Sequence, residues 1–156
     1  MIRYSKRTVL IFLCLLFVPV FAQASESSFV GTWDLLLVEE KTDTGDWISA
    51  PRFGHSKPAG ILMYDDKGNM AVQVTTNPRF TGWSAERPEM VNGYVAYYGT
   101  YEINADAATI THHRLCHSNV DVANLSVVRS FSFSDDAHTL TLMPGKNFRL
   151  TWRRVQ

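Results

Sequence analysis

The side chains in this sequence best equipped for chemistry are a histidine pair, two tyrosines and one arginine. His112 and His113 sit in TITHHRL, Tyr97 and Tyr101 in YVAYYGTYEI, and Arg129 in LSVVRSFSF. An imidazole can exchange a proton near neutrality. A phenol hydroxyl can steady a developing oxyanion, and a guanidinium offers planar donors that match a carboxylate or an enolate. Alternation brings these types together, because side chains two residues apart on a strand point the same way. Residues 94–115 read as a β-hairpin with Val95, Tyr97, Gly99, Tyr101 and Ile103 on one face, a turn at Asn104-Ala105-Asp106, and the β-branched run Thr109-Ile110-Thr111 beyond it. Tyr97, Tyr101 and His112 therefore share a face with Val95, Ile103 and Ile110. Arg129 joins them, in phase with Leu125, Val127, Phe131 and Phe133.

A face of this kind is wetter than a plain core requires, and a charge on it needs a carboxylate, a ring of hydroxyls, water or an anionic ligand. A network of tyrosine hydroxyls around Arg129 would satisfy it internally. Three classes of function follow. As a binding module, the domain would hold a small, largely apolar molecule with one polar or anionic group facing Tyr97, Tyr101, His112 and Arg129. As a cofactor-independent isomerase or cyclase, it would use His112 as general acid or base, with a tyrosine such as Tyr101 steadying the oxyanion. As a structural or interaction domain it would have a filled interior, with Trp47, Phe53, Phe80 and Trp83 covering a core. A one-residue slip would exchange His112 for His113.

No metal or other cofactor is called for. Adjacent histidines on a strand point to opposite sides, and Cys116 and His117 fall in the following link at no familiar ligand spacing, so a site using them is a minor alternative. The sequence contains no nucleophile elbow, phosphate loop or HExxH helix. Asp65-Asp66 and Asp135-Asp136 fit solvated turns.

The elements that must position these residues are strands. Phe29 to Glu40 opens the domain with Gly31, Trp33, Leu35 and Leu37 on one face. Residues 41–57 form a long loop that folds over the mouth of the domain. Two strands, 59–64 and 70–75, flank Asp65-Asp66-Lys67-Gly68-Asn69, whose glycine accepts the positive φ of a short connection. Between 76 and 94 the alternation lapses, leaving at most a short helix near 86–91. After the hairpin come strands at 125–133, 139–143 and 147–155, separated by Ser134-Asp135-Asp136 and Pro144-Gly145. Eight strands with turn chemistry between them and no long amphipathic helix predict an all-β fold, an antiparallel up-and-down barrel.

The chain of 156 residues accommodates one domain, residues 25–156, behind a signal peptide, residues 1–24. Arg3, Lys6 and Arg7 precede an apolar run from Val9 to Phe21, and Ala22-Gln23-Ala24 gives a small-residue cleavage pattern. That run is shorter than the roughly 20 residues that span a bilayer. The expectation is an exported protein, periplasmic or secreted, starting near Ser25 and not held in the membrane after cleavage. Lipidation at Cys14 is a minor alternative. Removing the leader leaves twelve basic against fifteen acidic side chains, so nucleic acid has no electrostatic footprint here. Cys116 alone remains, which rules out an internal disulfide. The oligomeric state is not encoded in any recognisable pattern.

GTWDLLLVEE, AGILMYDDKGNMAVQV, NGYVAYYGTYEINADAATITHH and the closing LTWRR resemble, in that order, the bacterial and fungal lipocalin-like domain family. The resemblance spans nearly all of residues 29–154. It implies a lipocalin-like barrel whose Gly-x-Trp tryptophan, here Trp33, closes one end beneath a basic residue of the last strand. Arg154, in phase with Phe148, Leu150 and Trp152, is the candidate. The family's functions are mostly unassigned, with small-molecule binding and, in some members, cyclisation or isomerisation suspected.

Overall fold

The alternating pattern closes on itself. In the computed structural model, which describes residues 26–53, 58–76 and 93–156, nine strands form one antiparallel sheet. They are β1 (Gly31–Lys41), β2 (Trp47–Ser49), β3 (Ala59–Tyr64), β4 (Asn69–Thr75), β5 (Tyr94–Asn104), β6 (Thr109–His117), β7 (Ser126–Phe133), β8 (Thr139–Met143) and β9 (Phe148–Arg154). Each strand from β3 to β9 pairs with its sequence neighbour, and β1 bridges β3 and β9, so eight strands make a closed barrel. The ninth, β2, is the departure from the expected count. It folds back from residues 42–46 to pair with the end of β1. The helix expected near 86–91, Phe80 and Trp83, and the leader all lie outside the described residues, which contain no α-helix and no helix able to cross a membrane.

One end of the barrel is packed shut. Trp33 is fully buried, its Nε1–H donates to Phe29 O at 2.9 Å, and the Phe29 ring meets Phe131 and Phe133 edge-on at 4.9 Å. Arg154 lies across the indole at 4.1 Å and donates to Val30 O and Ser28 O at 2.8 and 2.6 Å. The opposite end carries Phe53 stacked on Phe148 at 5.9 Å, while the bidentate Glu39–Arg149 pair backs Trp47. Part of the 41–57 loop thus covers the mouth as expected.

Two bulges reset which residues face inward. Leu35 pairs with Trp152 and Leu37 with Thr151, which leaves Leu36 as an extra residue. Parity flips there: Val38 turns inward and Leu37, expected inside, is 47% exposed. The second bulge is in β6, where Tyr98 pairs with Cys116 but Gly99 pairs with Arg114, skipping Leu115. A Cβ on Gly99 would stand 1.9 Å from His113 O, so only glycine admits this approach. Leu125 is a further correction. It precedes β7 and is exposed, since the strand begins at Ser126.

Candidate functional site

Above the sealed aromatic layer lies a cavity of about 280 Å³. Its walls are apolar for the most part, with Phe53, Leu62, Val72, Val95, Leu142 and Phe148 among them. The polar lining consists of Tyr97, His112, Arg114, His117, Arg129 and Trp152. β5, β6 and β7 supply all of these except Trp152, which β9 contributes from across the barrel.

Tyr97 is the hub. Its hydroxyl accepts from Arg129 Nη2 at 3.1 Å and lies 3.3 Å from His112 Nδ1. The His117 ring stacks on it at 5.5 Å with planes 10° apart, and the Arg114 and Arg129 guanidiniums lie 5.7 and 6.0 Å from the ring centre. Arg129, 8% exposed, also donates to Val127 O at 3.2 Å and forms no ion pair among the described residues.

His112 is fully buried, held between Tyr97 and the Tyr64 hydroxyl, which lies 2.7 Å from Nε2. Burial first, then the Arg129 and Arg114 charges, push its pKa well below the ordinary imidazole value, so the ring is neutral. Burial, reinforced by the neighbouring Tyr97 phenol, likewise raises Tyr64 well above the ordinary phenol value. The tautomer follows from proton counting. Tyr64 has no other acceptor among the described residues, whereas Tyr97 borders the cavity. We therefore assign the imidazole hydrogen to Nδ1: Tyr64 donates to Nε2, Nδ1–H donates to Tyr97, and the Tyr97 hydrogen is left for a group in the cavity. The other tautomer would strand the Tyr64 hydrogen in a dry interior, at a cost of about 1–3 kcal/mol.

Of the residues expected at the site, His112 and Arg129 are both bonded to the Tyr97 hydroxyl, which joins the three. Tyr101 is buried on the same face but does not line the cavity. Its hydroxyl donates to Asp65 O at 2.8 Å and its ring packs on Tyr64 at 4.7 Å, which ties β5 to the β3–β4 turn. His113 points outward, bonded to Ser126 Oγ at 2.7 Å and 3.5 Å from the Glu102 carboxylate. Trp33 and Arg154 pair at the closed end as described. Cys116 is a free, exposed thiol, and no group of metal-ligating side chains occurs among the described residues.

Arg114 and His117 escape the sequence reading. The parity that places His112 inside also places Arg114 there. His117 is harder, because it is odd-numbered and turns inward only after the Leu115 bulge. Gly99, opposite that bulge in an otherwise tyrosine-rich strand, is the one sequence hint. His117 is 4% exposed; burial and the nearby Arg114 charge lower its pKa to about 4. Its Nδ1 accepts from Asn119 N at 3.0 Å, which puts the hydrogen on Nε2.

A barrel of eight antiparallel strands, sealed at one end by a tryptophan under an arginine and hollow at the other, defines a lipocalin-like architecture. The lipocalin-like domain family model matches residues 30–155, and the chain belongs to that family. No curated protein matches it at a significant level. Among solved structures it is similar to a redesigned β-barrel at 12% identity and a TM-score of 0.41, covering 83% of this chain and 94% of that one, too distant a likeness to inform function.

Proposed function

We propose that this domain is an exported carrier or receptor that holds a small, largely apolar molecule inside the barrel. The observation that supports this reading is the hollow itself. A core built only for stability closes over its polar groups, whereas here Tyr97, His112 and Arg129 border a void with mainly apolar walls. The volume sits near the lower end of ordinary ligand pockets, which span roughly 300–1,000 Å³, so the ligand is compact. Export rests on the basic, apolar and small-residue sequence of residues 1–24.

Trp152 lines the cavity and serves as a reporter. Fluorescence titration with a panel of short fatty acids and aromatic carboxylates, followed by native mass spectrometry, is expected to give saturable, stoichiometric binding. A protein that retains none of them and emerges from its host empty has a merely hydrated interior. N-terminal sequencing from the native host is expected to start at or next to Ser25, and recovery of Met1 would end the export reading.

Proton transfer is the second reading, favoured by the Tyr64–His112–Tyr97 chain. There His112 would exchange a proton with a carbonyl-bearing substrate through Tyr97 in an isomerisation or cyclisation. His112→Gln would then lower turnover roughly 100-fold with binding kept, the usual scale for a lost general acid or base.

A further inference from the structure

Among the described residues, every polar side chain lining the cavity is a hydrogen-bond donor, a guanidinium, an imidazole, a phenol or an indole, and none is a carboxylate or an amide. Three of them have N–H groups to spare. Arg129 directs donors to Val127 O and Tyr97 Oη, only part of a guanidinium's set of five N–H bonds. His117 Nε2, whose hydrogen is fixed by the Asn119 bond at Nδ1, is buried and meets no acceptor among the described residues. Trp152 Nε1, on a side chain 2% exposed, is in the same condition. Buried donors without acceptors are rare, because each loses its water without compensation.

We propose that the cavity is built for a deprotonated organic acid, with Arg129 and His117 reading the carboxylate beside Tyr97 and Trp152 Nε1–H serving a further acceptor from the opposite wall. This rests on the ligand-binding reading above and names the class of ligand. A carboxylate brings acceptors and no donor, and it supplies the counter-charge that Arg129 lacks among the described residues. An ammonium would face a guanidinium and bring donors to a wall of donors. An ester offers acceptors without the charge and occupies an intermediate place. His117 and Arg129 flank Tyr97 from adjacent strands, which sets both on one part of the cavity.

The test is isothermal titration of the purified protein at pH 7.5 with 3-phenylpropanoate, its methyl ester and 3-phenylpropylamine. The acid is expected to bind about tenfold or more tightly than the ester, in line with a hydrogen bond to a charged group, and the amine not at all. Arg129→Met and His117→Phe, the second of which keeps a ring on Tyr97, should each weaken the acid about tenfold while leaving the ester within about twofold. His117→Gln, which restores a donor near Nε2, should recover part of the loss. If the ester binds as well as the acid, the acid-specific proposal falls and the apolar-binding reading stands. If none of the three binds, both fall. The wild-type series decides this even if a variant does not fold.

Discussion

Lowering the pH from 7 to 4 should destabilise this domain through His117, and replacing that residue should remove the effect. The unfolded imidazole titrates near 6.5 and the folded one near 4. Between these values the unfolded chain binds a proton that the folded chain refuses. The stabilisation is therefore whole above pH 6.5, falls as the pH drops toward 4, and is spent below that. Each pKa unit corresponds to about 1.4 kcal/mol, so the full loss from this one group is roughly 3 kcal/mol. His112, fully buried and held neutral by burial and two guanidiniums, adds to the loss in the same direction. Asp65 and Asp136 have lowered pKa values and so contribute at more acidic pH. Urea unfolding at unit steps from pH 8 to 4 would measure it, comparing the parent with His117→Phe so that all other groups cancel. The variant loses the Asn119 N–H acceptor, a pH-independent offset, and its curve should be flatter by about 1.4 kcal/mol per pH unit in this window. Parallel curves would refute the claim that His117 is buried neutral.

Two further outcomes follow from the packing. Trp33→Ala should cost roughly 3–5 kcal/mol, as large buried aromatic truncations do, and Arg154→Ala distinctly less; an unchanged thermal melt for Trp33→Ala would remove its role in closing the barrel. Tyr97→Phe should weaken ligand binding, because it removes the hydroxyl that orients Arg129, whereas Tyr101→Phe should cost about 1 kcal/mol of stability and leave affinity alone; equal effects on affinity would contradict the separation of the two tyrosines.

Much of this molecule was legible before any fold was drawn, and the reason is the exact period of a strand. Alternation alone put Tyr97, His112 and Arg129 on one face and His113 on the other, and neither closing the barrel nor choosing neighbours changes that within an unbroken strand. Turn chemistry set the strand count to within the short β2, whose three residues pair only because the loop returns to β1.

Tertiary structure decided the rest, wherever two strands had to agree on register. The bulges at Leu36 and Leu115 are relations between partners, so a single strand's sequence carries little trace of them; they turned Leu37 outward and brought His117 inward. The same holds for hydroxyl partners. Tyr97 and Tyr101 are alike in sequence, but one reaches Arg129 and the other a turn carbonyl, according to height in the barrel. Composition and periodicity determined which side chains face inward; the shear of the closed sheet determined which of them meet, and where the interior is left hollow.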